Sequence, residues 1–198
     1  MPLFDRETLC HPSARILIAA ASLAAGNAWA GNEFSVGIGA GPSHGSVDCV
    51  DAFACDRSSD FAKVTAAWRL SDAFDLQATW FGGGRFKGGD ISPLGTPFGG
   101  TFKTSALALA AGYTWNVAPR WTIAGRVGGA SVRTTFDYQN AAFGSVGKTT
   151  VQPLAGLGVA YAITPTLRLG IDYDVTRFRV YRTRGPLQML GVAAQFSF

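Results

Sequence analysis

Residue types that could carry out catalysis are concentrated in one short stretch, PSHGSVD, where His44 stands among Ser43, Ser46 and Asp48. A histidine within hydrogen-bond reach of a hydroxyl, and oriented by a carboxylate, is the arrangement that activates a nucleophile. All four residues lie here in a single glycine-flanked segment, and that composition is common in surface loops without any chemistry. We therefore interpret His44 as a surface-loop residue, and we predict that the protein is not an enzyme and uses no cofactor.

Charged residues could instead form a network inside the fold, because they recur at alternate positions of otherwise apolar segments. A buried charge must be paired, so these side chains are expected to form salt bridges with one another. The predicted interior network consists of Lys63, Arg69, Asp75, Arg126, Arg168, Asp172 and Asp174. It would act either as a plug, which we favour, or as a gated narrow path for small ions or solutes.

The segments that position these charges alternate between apolar and other residues with a period of two, which predicts β-strands. Each approaches the roughly 9–11 residues that a tilted membrane strand needs. Only 15 % of the residues are charged and 25 are glycine, unlike an ordinary soluble domain, in which about a quarter are charged. The eight predicted segments are 34–40, 62–70, 74–80, 107–115, 121–127, 157–163, 167–175 and 190–198.

The connections between these segments alternate in length. Three are tight, namely 71–73, 116–120 and 164–166, and aromatic residues such as Trp68 and Trp121 flank them. The long links are predicted over residues 42–60, 82–103, 132–149 and 177–187. An even strand number, short turns at one end, long loops at the other and aromatic girdles are typical of outer-membrane β-barrels. We therefore predict an all-β fold, an eight-stranded antiparallel transmembrane barrel that the last segment closes by pairing with the first.

The first thirty residues have the composition of an export signal. Arg15 precedes the apolar run ILIAAASLAAGNAWA, which ends in the small-x-small triplet of residues 28–30. This pattern predicts a signal peptide over residues 1–30 that is cleaved before Gly31, and a barrel domain over residues 31–198.

Export also decides how the cysteines are interpreted. Cys49 and Cys55 in CVDAFAC are then two thiols in an oxidising compartment, most simply joined as a local disulfide. A metal site is not expected, since His44 is the only histidine after residue 30 and a structural zinc site uses four ligands. The net charge of +4 is spread along the chain without the Lys/Arg cluster that nucleic-acid binding needs.

The segment CDRSSDFAKVTAAWRLSDAFDLQATWFGGGRFKG resembles the OmpA-like and opacity-type eight-stranded outer-membrane β-barrel family. The resemblance covers residues 31–198, without a peptidoglycan-binding domain. It implies location in the outer membrane of a Gram-negative-type bacterium and a structural or surface-interaction role, in adhesion or envelope integrity. The terminal QFSF looks like the signal that the barrel-assembly machinery recognises, with Phe196 and Phe198 as its aromatic residues.

The expected partners are outer-membrane lipid and lipopolysaccharide, and host or cell-surface ligands that the long loops would contact. In TRFRVYRTRG, the cations Arg177, Arg179, Arg182 and Arg184 could pair with lipopolysaccharide phosphates. The alternative for this segment is a solvated hairpin that extends the seventh strand. For the whole protein, the alternatives are a narrow porin-like channel, a lipid A-modifying barrel enzyme and a soluble lipocalin-type carrier.

Overall fold

Antiparallel β-strands make up nearly all of the described chain. The computed structural model describes residues 34–46, 56–91, 97–138, 144–180 and 183–198. The strands are β1 (Phe34–Gly45), β2 (Ser58–Arg69), β3 (Phe74–Gly82), β4 (Arg85–Ile91), β5 (Pro97–Ala118), β6 (Trp121–Tyr138), β7 (Ser145–Ala162), β8 (Leu167–Val180) and β9 (Thr183–Ser197). The predicted signal peptide, the predicted Cys49–Cys55 disulfide and Arg182 lie outside the described residues. Within those ranges, no helix has the length and apolar character needed to cross a membrane.

The sheet closes on itself. Each strand pairs with its neighbours in the order β3-β2-β1-β9-β8-β7-β6-β5, and the pairing of β3 with β5 completes the ring. The first and last strands pair from Ser35 opposite Ser197 to Gly45 opposite Leu187. A closed sheet leaves no ladder of unpaired backbone groups along its edges. The predicted eight-stranded antiparallel barrel, with the C-terminal segment as its closing strand, is confirmed.

Nine strand segments occupy eight positions in the barrel, because β3 and β4 both pair with β5 and are two halves of one barrel strand. The break lies at Gly83, whose φ is +123°, in a region that L side chains rarely adopt. A Cβ at Gly83 would lie 2.8 Å from the Asp60 carbonyl oxygen. Glycine is therefore required at this break, for both its backbone angle and its close approach to β2.

The three predicted tight turns are present, and hydroxyl side chains organise two of them. Phe74 N donates to Ser71 Oγ (3.1 Å) after β2, and Leu167 N donates to Thr164 Oγ1 (2.9 Å) after β7. Such serine and threonine turns satisfy backbone donors locally. Between β5 and β6, the register ends with Ala118 opposite Trp121.

The prediction of long links over 82–103, 132–149 and 177–187 is wrong, because most of these residues extend the strands. β5 begins at Pro97, β6 runs to Tyr138, and β8 and β9 form one hairpin that pairs as far as Val180 opposite Thr183. The remaining long link, predicted over residues 42–60, is also shorter than predicted, since β1 and β2 pair up to His44 opposite Ser58. The alternative interpretation of 177–187, a hairpin that extends the preceding strand, matches this geometry.

The two ends of the barrel have opposite polarity. Near the tight turns, apolar residues face outward, as Leu109 (67 % exposed) and Val127 (66 %) do. In the extended strands the apolar residues face inward: Val132 and Phe136 are fully buried, whereas Arg133 between them is exposed. We call these parts the lower barrel, from the tight turns to the level of Lys63, and the upper barrel, beyond Lys63. The period of two continues through both parts, and only its polarity inverts.

The upper barrel contains the packed core of the molecule. Phe102 lies 4.6 Å from Phe136 between ring centroids, and Phe136 lies 5.0 Å from Tyr138. Burial of large aromatic side chains is a major source of core stability. The buried core residues with side chains larger than alanine are Phe61, Phe81, Phe86, Phe102, Val132, Phe136, Leu154, Phe178, Leu187 and Met189.

Candidate functional site

A buried ion cluster separates the lower barrel from the upper barrel. Lys63 Nζ from β2 lies 2.8 Å from Asp172 Oδ2 and 2.8 Å from Asp174 Oδ2, both on β8. Arg126 Nε from β6 lies 2.6 Å from Asp174 Oδ1. The Asp174 side chain is fully buried and that of Lys63 is 4 % exposed, so each charge depends on its partners rather than on water.

Glycines on the inner face make room for this cluster. A Cβ at Gly156 would overlap Asp174 Oδ1 and come within 2.5 Å of Arg126 Nε, and a Cβ at Gly158 would overlap Asp172 Oδ1. On β1, a Cβ at Gly39 would stand 3.0 Å from the Lys63 side chain. Larger residues at these positions would displace the ion pairs. The ion cluster therefore requires small inward residues on the neighbouring strands.

Below the cluster, the lower barrel encloses a cavity of about 100 Å³ that extends toward the tight turns. Its wall includes Arg69 at the end of β2, Arg168 at the start of β8 and Asp75 at the start of β3. Gln195 Nε2 donates to Ser35 Oγ (2.8 Å) in the same wall. Small inward residues such as glycine and alanine leave this space open, since the interior of eight strands is otherwise filled by side chains.

The structure thus brings together four of the seven residues predicted to form one interior network, namely Lys63, Arg126, Asp172 and Asp174. The other three, Arg69, Asp75 and Arg168, line the cavity but form no ion pair among the described residues. Asp75 instead accepts a hydrogen bond from Gln77 Nε2 (2.8 Å).

The aromatic core of the upper barrel was missed by the sequence interpretation. Phe61, Phe81 and Phe178 continue the inward positions of Lys63, Thr79 and Asp174 on their strands. The signal that could have found them is the uninterrupted period of two in segments that looked like loops. The sequence interpretation places apolar residues on the outer face of every strand. In the upper barrel the apolar residues face inward, so this rule does not identify its strands.

The predicted lipopolysaccharide contacts lie on the outer face of the upper barrel. Arg177, Arg179 and Arg184 are exposed on the β8–β9 hairpin, and Arg179 stands directly opposite Arg184. Among the described residues, none of the three forms an ion pair. Lys103 on β5 differs, because its Nζ lies 2.6 Å from Asp137 Oδ2 on β6.

The predicted assembly-signal aromatics lie at the opposite end. Phe196 pairs with Leu167 and Val36, and Phe198 N donates to the Phe34 carbonyl oxygen (2.9 Å). Both rings are about half exposed.

Other aromatic residues surround the tight turns at this end. The rings of Trp121 and Tyr161 lie 5.1 Å apart, and Arg120 Nη1 donates to Tyr161 Oη (3.2 Å), which raises the pKa of Arg120. An exposed girdle of aromatic side chains with polar atoms at its rim matches the interface between a membrane and water.

His44 and Ser43 do not form a common site. His44 faces outward from β1 and is exposed, whereas Ser43 faces inward and its Oγ donates to the Ser59 carbonyl oxygen (2.9 Å). Asp48 lies outside the described residues. No group of three or more potential metal ligands occurs in the described part of the chain.

Comparison with known proteins agrees with this geometry. The family model of the outer membrane protein beta-barrel domain matches residues 15–196. Outer membrane protein A of Serratia marcescens is 29 % identical over 150 residues, which cover 73 % of this chain and 36 % of that protein. The chain therefore spans about a third of the length of that relative.

Solved structures support the fold at low sequence identity. Neisserial surface protein A superimposes with a TM-score of 0.63 at 15 % identity, covering 84 % of this chain and 97 % of the other. OprG from Pseudomonas aeruginosa superimposes with a TM-score of 0.54 at 13 % identity, covering 82 % and 95 %. The chain belongs to the outer membrane protein β-barrel domain family and is a protein of the Gram-negative outer membrane.

Proposed function

We propose that this protein has a structural or surface-interaction role, in adhesion or envelope integrity, and that its interior is a plug rather than a path. The observation that carries the proposal is the aromatic core of the upper barrel. The aromatic core and the ion cluster lie one above the other along the barrel axis. A solute crossing the barrel would therefore meet two obstructions. The same core supports strands that extend well past the apolar belt, and this provides a platform outside the membrane.

The ion cluster supports the plug for an energetic reason. Opening a path would separate Lys63 and Arg126 from Asp174, whose side chain is fully buried. Breaking a buried pair leaves an uncompensated charge, at a cost of about 3–5 kcal/mol. A gate that must overcome such a cost opens rarely.

Conductance across planar bilayers tests the plug against the alternative of a narrow channel. We expect no steady conductance from the wild-type protein and none from Arg126→Gln, because the aromatic core remains in place. Steady single-channel currents in the wild type that change in size with Arg126→Gln would favour the channel and contradict the plug.

The proposed partner at the outer surface is lipopolysaccharide, through its phosphate groups. Arg177 follows the outward apolar residues Tyr173 and Val175 on β8 at the next outward position, which places its charge at the edge of the apolar belt. Arg179 and Arg184 stand opposite one another, and like charges in that position destabilise a strand pair unless an anion neutralises them. Guanidinium groups bind phosphate with two parallel hydrogen bonds.

Binding of purified lipopolysaccharide to the folded protein tests this partner. The variant Arg177→Gln/Arg179→Gln/Arg184→Gln removes three charges from the hairpin. The matched control, Arg85→Gln/Lys87→Gln/Lys148→Gln, removes three exposed charges from other strands of the upper barrel. We expect a large loss of affinity in the first variant and a small one in the second. Equal losses would reduce the contact to general charge attraction and contradict a specific hairpin site.

We also infer that His44 has no catalytic role, which fits a non-enzymatic barrel. Its outward position, away from Ser43, supports this inference. The acyl-chain composition of lipid A from cells that express wild type or His44→Ala is the measurement. A change in acyl chains that depends on His44 would contradict the inference.

A further inference from the structure

Two arginine side chains at the tight-turn end of the barrel interior line the same cavity, and neither forms an ion pair with a described residue. Arg69 is the last residue of β2 and Arg168 is the second residue of β8, and both are partly buried in the wall of the lower cavity. Only β1 and β9 lie between their strands, a separation of roughly 14 Å along the wall at about 4.8 Å per strand.

None of the three interior carboxylates pairs with Arg69 or Arg168, although Asp75 is opposite Arg69 in the β2–β3 register and lines the same cavity. Asp172 and Asp174 are bound by Lys63 and Arg126, and Asp75 accepts the hydrogen bond from Gln77. Among the described residues, neither Arg69 nor Arg168 forms an ion pair or a side-chain hydrogen bond. Two like charges held together in one cavity favour the entry of an anion.

A second, independent observation comes from the roof of the same cavity. Arg126 Nη2 is buried and has no hydrogen-bond partner, and Asp172 Oδ1 is 3.7 Å away, too far for a hydrogen bond. Buried polar atoms are nearly always hydrogen-bonded, so an orphaned donor in a cavity wall calls for an explanation. An acceptor in the cavity would satisfy it.

The charge balance of the interior points the same way. Four cations face inward against three carboxylates, which leaves one positive charge in excess. The cations are Lys63, Arg69, Arg126 and Arg168, and the carboxylates are Asp75, Asp172 and Asp174.

The size of the cavity limits what the anion can be. With a volume of about 100 Å³, the cavity is smaller than the roughly 300–1,000 Å³ of a typical ligand pocket, so an inorganic oxyanion or a single phosphate group suits it better than a nucleotide. Hydroxyl groups of Ser35 and Thr114 in the wall add neutral donors beside the three arginines. Planar guanidinium groups match the oxygen geometry of phosphate with paired hydrogen bonds.

We infer that the lower cavity is a binding site for a tetrahedral oxyanion of the phosphate class, held between Arg69, Arg168 and Arg126 Nη2. The cavity lies at the tight-turn end, which is the periplasmic end in outer-membrane barrels. The phosphate is either a free periplasmic anion or the headgroup of a phospholipid from the inner leaflet.

Calorimetric titration of the folded protein with inorganic phosphate, in a non-ionic detergent without phosphate groups, tests the site. We expect saturable binding of one phosphate, weakened roughly tenfold or more by Arg69→Gln or by Arg168→Gln, because each removes a charge-assisted hydrogen bond. The matched control is Arg120→Gln, which removes the same charge at the same end of the barrel but outside the cavity. Resistance of each variant to SDS before boiling shows that it has folded.

Equal phosphate affinity in Arg69→Gln, Arg168→Gln and Arg120→Gln would overturn the assignment, and so would the lack of saturation in the wild type. A second titration with phosphatidylglycerol added to the micelles distinguishes the two sources. Competition would identify the phospholipid headgroup as the occupant, whereas unchanged phosphate affinity would identify the free anion. Neither result depends on conductance or on binding at the outer surface.

Discussion

The lower and upper barrel use the same backbone pattern with opposite polarity. Around the lower barrel the outer face is apolar and the interior holds charges and a cavity; around the upper barrel the outer face is polar and the interior is packed with phenylalanine. The difference follows from what surrounds each part. In hydrocarbon, apolar side chains face outward at no cost, whereas in water the same side chains are driven into the interior.

The two parts are also stabilised by different interactions. The lower barrel has few large side chains inside, so its interior depends on the ion cluster and on backbone pairing. The upper barrel resembles a soluble β-barrel, in which buried aromatic area supplies the driving force. Four substitutions test this comparison, and they follow in order of decreasing effect.

Asp174→Ala should be the most damaging change, because it leaves both Lys63 and Arg126 without their fully buried partner. Removing one member of a buried ion pair costs about 3–5 kcal/mol. The free energy of unfolding, measured by urea titration of the protein refolded in lipid vesicles, checks this value. A loss below about 1 kcal/mol, as for an exposed pair, would mean that water reaches the cluster.

Phe136→Ala tests the core of the upper barrel. Phe136 is fully buried and packs against Phe102 and Tyr138, so its truncation should cost about 3 kcal/mol or slightly more. The same urea titration applies, with Leu109→Ala on the lipid-facing side of the lower barrel as control. A larger loss for Leu109→Ala would contradict the assignment of the packed core to the upper barrel.

Gly83→Ala tests the break between β3 and β4, which lies where the two parts meet. The φ of +123° and the 2.8 Å approach to the Asp60 carbonyl oxygen both oppose a side chain. We expect a loss of about 1–3 kcal/mol from the backbone angle and the contact together. Gly144→Ala is the control, since its φ is +68° but nothing lies within 4 Å of the added Cβ. An equal loss in both variants would assign the whole effect to the backbone angle.

Asp137→Ala should have the smallest effect. Its partner Lys103 is 49 % exposed, and Asp137 itself is 33 % exposed. Surface ion pairs contribute about 0–1 kcal/mol, and this contribution should decrease further as salt concentration rises. A loss comparable to that of Asp174→Ala would contradict the contrast between the buried and the exposed ion pair.

Much of the lower barrel could be predicted from the sequence, because local patterns decide it. The tight turns follow from residues such as Ser71 and Thr164, whose hydroxyls accept backbone hydrogen bonds from residues three positions later. The lipid-facing side of each strand is a simple alternation. The extended strands of the upper barrel are harder to predict, because exposed residues such as Arg133 and Arg179 resemble loop residues, while Val132 and Phe178 beside them face the core.

The membership of the interior network could not be predicted in the same way. Lys63, Arg126 and Asp174 lie on β2, β6 and β8, and nothing local in the sequence sets their relative heights. Those heights depend on the stagger between strands, which is set when the barrel closes with a particular tilt. Arg69 and Arg168 belong to the same inward set, yet the closure leaves them in the cavity wall, where neither forms an ion pair with a described residue.

The sequence by itself determined the number of barrel strands, the side on which each residue faces, the tight turns and the pairing of the last segment with the first. These features follow from a period of two and from turn chemistry, both of which act over a few residues. Only the tertiary structure decided which charges meet, where the cavity remains and how far the strands rise beyond the apolar belt. Those features depend on contacts between strands that are distant in sequence, and on whether hydrocarbon or water surrounds each height of the barrel.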